Sequence, residues 1–332
     1  MERTEEGTNA ESVPLNEAPG RTGGFFYDAA VLRPRVVLAY STAALALAAQ
    51  WVAAKVALGA APPLELATMR FAIASVVLVA LSVVTRTPPP IRRWRLVTAA
   101  AALGFFGFNS LAFLGLRLTP AADSALIVPT AIPVATALFA MLIRERLTSR
   151  KLLGFVVASV GAAIVIVGGQ QDGAEISTTR LLGNLLELAS AVSWAACLTV
   201  SAVVLRTESI LGFVTMASVL GTVMLFPLGF LEEGYRDLLD WGTQAWLAAL
   251  SLGVISTVVA FLIFFWAVHR FGAGLGAMIS YIVPIAGLIL AFVVLGERPL
   301  PLQIVGALVI VLGVRLAARP APVAMASPSA TY

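Results

Sequence analysis

Ten apolar runs, each close to twenty residues long, follow one another along this chain. They cover approximately residues 36–54, 65–85, 96–116, 121–143, 150–168, 181–204, 210–230, 245–267, 273–295 and 301–317. A helix needs about 20 such residues to cross the hydrocarbon of a bilayer. One or two runs of this kind could form the buried core of a soluble protein. Ten in succession, with no amphipathic helix to cover them, could not. Only 12% of the residues are charged and 59% are hydrophobic, against about 25% charged in an average soluble domain. The solvent for most of the chain is therefore lipid. Helices are the expected form, because they satisfy their own backbone hydrogen bonds. The sequence predicts an all-α integral membrane protein of ten transmembrane helices.

Residues 1–32 are polar, mix acids with Gly and Pro, and lack the basic-then-apolar order of a secretory signal. They read as a disordered tail, as does the Ala-, Pro- and Ser-rich stretch 318–332. Orientation follows from arginine. Arg86, Arg92, Arg93, Arg95, Arg144, Arg146, Arg150 and Lys151 lie on the side of the termini, against Lys55, Arg117, Arg180, Arg236 and Arg298 opposite. This bias predicts a multi-pass inner (plasma) membrane protein with both termini in the cytoplasm. The same arginine clusters lie between apolar runs, so the net charge of +4 points to lipid headgroups as partners and not to nucleic acid.

Several chemistries are excluded. The single cysteine, Cys197, allows no intrachain disulfide or thiolate metal cluster, and the single histidine, His269, allows no multi-histidine metal site. No Gly-rich phosphate loop followed by Lys is present, so neither ATP drive nor a bound cofactor is expected. No serine has a helical His base, which disfavours a hydrolase.

The chain repeats itself. Pro133 and Glu145-Arg146-Leu147 recur as Pro284 and Glu297-Arg298-Pro299. Gly154 and Gly161 then follow Glu145 at the spacing at which Gly306 and Gly313 follow Glu297, and Trp51 has a counterpart in Trp194. The halves are 33–170 and 171–317. Each holds five helices, an odd number, so the second must enter the membrane inverted relative to the first. Inverted repeats give inward-open and outward-open states of similar energy. This favours transport over catalysis or sensing.

Trp51, Pro133, Glu145-Arg146-Leu147-Thr148, Gly154 and Gly161, with Gly183, Trp194, Pro284, Glu297-Arg298, Gly306 and Gly313, make the chain resemble the EamA family of the drug/metabolite transporter superfamily from about residue 36 to 317. The resemblance implies ten helices around a central cavity and export or exchange of amino acids, metabolites or drugs. Arg144 stands where that family usually has Gly before the glutamate, and Pro299 and Pro301 follow Glu297.

Polar and aromatic residues within the spans are the candidate site, because burying them in lipid costs free energy. Gln50, Trp51, Asn109, Trp194 and Tyr281 are the expected cavity lining. Pro129, Pro133 and Pro284 interrupt helical hydrogen bonding and are expected hinges or path residues. Asp123 and Glu187, toward the outer face, are candidates for proton coupling. Lys55, Glu65 and Arg70 cluster in sequence and are expected to pair at an outer mouth. Glu145 and Glu297, beside Arg146 and Arg298, read as loop anchors. The function expected is a secondary transporter, exporting or exchanging a small molecule by alternating access, of unspecified oligomeric state. The alternatives are a carrier of lipid-linked or nucleotide-linked substrates, and a non-transporting membrane enzyme or sensor.

Overall fold

A computed structural model describes residues 34–142, 149–168, 177–271 and 273–318, and among these there is no β-strand. Each predicted apolar run falls, within a few residues, inside a continuous helix. The first five segments are α1 (Pro34–Ala57), α2 (Pro63–Val84), α3 (Trp94–Ala100), α4 (Asn109–Leu118) and α5 (Ala121–Leu142). They are followed by α6 (Ser149–Gly168), α7 (Thr178–Val204), α8 (Ile210–Gly229) and α9 (Gly242–Leu250). The last three are α10 (Ala260–Phe271), α11 (Ala273–Leu295) and α12 (Pro301–Ala318). The predicted tails lie outside the described residues, as does Glu145.

Two of the rods are not pure α-helix. A π-helical stretch, Ala101–Phe108, joins α3 to α4, and a second, Ser251–Val259, joins α9 to α10. A π-turn widens the helix and leaves backbone carbonyls without their usual i+4 donor. Side chains take up some of them. Asn109 Nδ2 donates to the Gly104 carbonyl (3.0 Å), and Thr257 Oγ1 to that of Leu252 (2.9 Å), each five residues back.

Local sequence explains the helix starts. Pro63 and Pro301 open α2 and α12, where a missing N–H costs nothing. Ser177 and Ser209 cap α7 and α8 by accepting from Arg180 N and Gly212 N. Among the described residues, five rods are long and apolar enough to cross a membrane: Pro63–Val84, Trp94–Leu118, Thr178–Val204, Ile210–Gly229 and Leu238–Trp266. Shorter apolar helices fill the remaining positions, among them Ser41–Ala57 and Val283–Leu295.

Burial is inverted relative to a soluble protein. Val76, Val84, Val293, Leu308 and Leu312 point outward, while Arg70, Asn109, Asp123, Asn184 and Glu187 are buried. This is the pattern of a bundle in lipid with a polar interior.

The helices pack in pairs drawn from the two halves of the chain: α2 on α8, α5 on α11, and α6 on α12. Small residues make the last pair very close. A Cβ on Gly161 would stand 2.6 Å from the Ile310 amide nitrogen, and one on Gly313 would strike the backbone of Ala158. Gly306 likewise faces the backbone of Gly161 and Val165. The two backbones touch because no side chain intervenes, so these glycines are packing residues. Near Pro129 and Pro284, α5 and α11 cross with Gly287 against Ala125, where a Cβ would come within 2.6 Å of the alanine methyl.

Candidate functional site

Arg70 lies seven residues into α2, about 10 Å from its start at 1.5 Å per residue. It is 1% exposed. Its Nε donates to Thr257 Oγ1 (2.8 Å), Nη1 to Asn109 Oδ1 (3.1 Å) and Nη2 to Gln50 Oε1 (3.1 Å). Three rings surround the guanidinium, Phe71, Phe261 and Phe113, at 5.4, 5.6 and 6.0 Å. No carboxylate of the described residues lies within ion-pairing distance of it, the bridge formed among them being Arg180–Asp123.

A charge in the middle of a membrane helix costs roughly 2.5–3.5 kcal/mol even on the most lenient scale. Each ring returns about 0.5–2 kcal/mol. Hydrogen bonds to neutral acceptors solvate the charge without cancelling it. Both π-helical stretches meet here: Asn109 fills a π-freed carbonyl with its amide nitrogen and holds Arg70 with its oxygen, and Thr257 does both with its one hydroxyl. Beside the guanidinium lies a small cavity of about 10 Å³, lined by Gln50, Trp51, Ala54, Arg70, Phe108, Ala112, Phe113 and Leu116. It is about large enough for a single water. Trp51 is 4% exposed, and its Nε1–H has no acceptor among the described residues.

The sequence candidates distribute as follows. Gln50 and Trp51 line the cavity, and Asn109 holds Arg70. Trp194 sits one layer out, packed on Phe108 (5.0 Å) and Phe261 (5.2 Å), which themselves face the cavity and the guanidinium. The side chain of Tyr281 lies outside the described residues. Pro129 and Pro284 are buried and Pro133 is half-buried.

Arg70 does not join Lys55 and Glu65 at a common mouth, contrary to expectation. Lys55 Nζ instead donates to the carbonyls of Leu116 (2.7 Å) and Thr119 (2.6 Å). Glu65 accepts from the amides of Glu233 and Tyr235, while Glu232 accepts from the amides of Leu64 and Glu65. The reason is helical phase. Positions five apart differ by about 140° around the axis, so Glu65 and Arg70 cannot share a face. Burial pushes the Glu232 carboxyl up, against the pull of the two amides it accepts from, and pushes the Tyr235 phenol up as well. Arg70 carried a sequence signal, a cation inside an apolar run. Thr257 carried none.

A second polar cluster closes the bundle end where α4 gives way to α5. Asp123 accepts from Arg180 Nε (2.8 Å) and Nη2 (2.9 Å), and from Asn184 and Gln303, and it shares the one hydroxyl proton of Thr119 with Asn184 Oδ1. Glu297 accepts from the amides of Ala121 (2.9 Å) and Ala122 (2.8 Å), so it caps α5 and anchors the α11–α12 turn to it. Glu187 is fully buried. Its Oε1 accepts from Ser124 Oγ, and its Oε2 has no donor among the described residues. A cleft of about 160 Å³, lined by Asp123, Arg180, Glu297, Arg298 and Gln303, opens at this end.

Comparison with known proteins agrees with this architecture. The sequence model described as the EamA-like transporter family matches residues 35–167 and again 181–319. The chain is 26% identical over 272 residues to the uncharacterized transporter YyaM of Bacillus subtilis, covering 79% of this chain and 86% of that protein. It is 28% identical over 231 residues to a probable terminal-alkyne amino-acid exporter of Streptantibioticus cattleyicolor, covering 70% and 75% respectively. A solved crystal structure superposes with a TM-score of 0.59 at 22% identity, covering 86% of this chain and 96% of the other. That likeness concerns the fold alone.

Proposed function

This chain belongs to the EamA-like transporter family, and we propose that it is a secondary transporter whose two inverted five-helix halves rock about the cavity beside Arg70. The observation that carries the reading is the convergence of a π-helical stretch from each half on one buried cation. Support for the repeat comes from three sources. The family model matches twice, once per half. Packing is exchanged between halves, α1 lying on α11 as α7 lies on α5. Corresponding helices also run in opposite directions. Thr119, which accepts from Lys55 at the end of α1, donates to Asn184 near the start of α7. Glu232, just past α8, meets the start of α2, and Glu297, just past α11, meets the start of α5.

For a chain in an inner membrane, the arginine bias favours a topology with the termini, and hence the α5–α6 connection, in the cytoplasm. The Asp123–Arg180 end then faces outward. In the state described here the cavity is small, and the Asp123 cluster ties α5, α7 and α12 together at that outer end. Pro129, Pro133 and Pro284 sit beside the α5–α11 crossing and supply the bends about which the halves move. Export or exchange of a small metabolite, amino acid or drug fits the name of the exporter relative.

Of the two carboxylates, Asp123 is already occupied by a bidentate arginine and further donors, so the proton falls to Glu187. Its unpartnered Oε2 is where a proton would be taken up and released. The test is flux in vesicles. Purified protein should accelerate counterflow of at least one labelled amino acid, organic acid or drug over empty vesicles. Glu187→Gln should abolish flux driven by a pH gradient while leaving counterflow. Vesicles no more permeable than empty ones to every compound would refute transport, and unchanged pH dependence in the variant would remove Glu187 from it.

A further inference from the structure

We infer that Arg70 and Trp51 are the docking point for the carboxylate of an amphipathic organic acid that carries no ammonium group. The inference rests on the transport reading for the passage of that acid, but its binding can be tested alone.

A guanidinium has five N–H groups. Three are used, by Thr257, Asn109 and Gln50. One N–H therefore remains on each Nη, available to an anionic oxygen, the acceptor a guanidinium binds most strongly. The indole N–H of Trp51, on the wall of the same cavity, is buried and without an acceptor. Three donors and one positive charge thus belong to two residues lining one cavity, with no acceptor for them among the described residues. An unpaired buried cation is among the costliest groups a membrane protein can hold. A bound anion cancels that cost, and so converts it into affinity.

The lining also selects the rest of the ligand. Apart from Gln50 and Arg70, it consists of Trp51, Phe108, Phe113, Leu116 and two alanines, which suit an aliphatic or aryl body. It holds no carboxylate to meet an ammonium, and the oxygen of Gln50 is already engaged by Arg70. A plain carboxylic acid therefore fits better than the corresponding zwitterionic amino acid. It also holds one cation only. A phosphate monoester, with a charge of about −1.5 to −2 at pH 7, would bring an excess charge into an apolar pocket. The cavity of about 10 Å³ cannot contain such an acid, so the aromatic walls must part to admit it.

Thermal unfolding of the full chain in micelles tests this. The probes are 3-phenylpropionate and straight-chain acids of four to ten carbons, compared with their methyl esters, phenylalanine and phenyl phosphate. At least one acid should raise the midpoint, its ester and phenyl phosphate should not, and phenylalanine should shift it less than 3-phenylpropionate. Gln50→Glu places a carboxylate beside Nη2 and should abolish the shift. Arg70→Met should abolish it too, so the test survives if either variant fails to fold. Trp51→Phe should weaken the apparent affinity about tenfold, the loss expected for one hydrogen bond to a charged group. The proposal is overturned if no acid shifts the midpoint, if esters, phenylalanine or phenyl phosphate do so equally, or if the shift persists in the Gln50 and Arg70 variants. An acid-dependent shift with no flux in vesicles would keep this site and refute transport. Flux of a neutral compound with no acid shift would do the reverse.

Discussion

Arg70 sets the chemistry of the interior because every group around it is neutral. Gln50, Asn109 and Thr257 each spend an oxygen on it, and none can be lost without leaving an N–H of a buried cation unsolvated. Thr257→Val, which keeps the shape and removes the hydroxyl, should lower unfolding stability by about 1.5–3 kcal/mol, measurable by denaturant titration in micelles. It should also reduce flux, since the guanidinium loses the bond that fixes its tilt. The sequence exposed part of this. Gln50, Trp51 and Asn109 could be named as intramembrane polar or aromatic residues. Arg70 is visible as a cation in an apolar run, but proximity in sequence points to Lys55 and Glu65 and hides the rotation between helix faces. Thr257 looks like any threonine that bonds its own helix, and only its position at a π-turn distinguishes it.

At the scale of elements, three devices decide the architecture. The π-helical stretches shift the helical phase so that Asn109 and Thr257 face Arg70. Asn109→Leu would leave the Gly104 carbonyl and Arg70 Nη1 without their side-chain partner. Flux should be lost while helix content by circular dichroism stays unchanged. The glycine seam between α6 and α12 allows backbone contact. Gly313→Leu should cost about 1–3 kcal/mol or more by overpacking, read as a lower thermal midpoint. The third device is capping by distant carboxylates. Glu297→Ala frees the amides of Ala121 and Ala122 and should destabilise α5 by about 1 kcal/mol. The helices themselves were legible, since twenty apolar residues in a row leave few alternatives. The glycines at seven-residue spacing showed which face would be close-packed, but not against which partner. The π-turns had no signal, because Ala, Leu, Gly and Phe suit α and π geometry equally.

For the molecule as a whole, the reading is that two halves threaded oppositely make one moving part. Cys197 is buried on α7, so a Cys197→Ser background permits single-cysteine labelling. Cysteines placed in 144–151 and in 297–301 should label from opposite faces of the membrane. Labelling from the same face would end the inverted-repeat reading and rocking with it. Binding of an acid that opens the cavity should also change the emission of Trp51 and Trp194, which the aromatic layer now encloses.

Composition and periodicity by themselves determined that this chain is helical and lies in lipid, because hydrocarbon tolerates few other solutions. Only the tertiary structure decided what the interior contains. The relative rotation of α1, α2, α4 and the second π-stretch brings residues 50, 70, 109 and 257 to one point. Those rotations arise from packing between helices far apart in sequence, which no local pattern encodes.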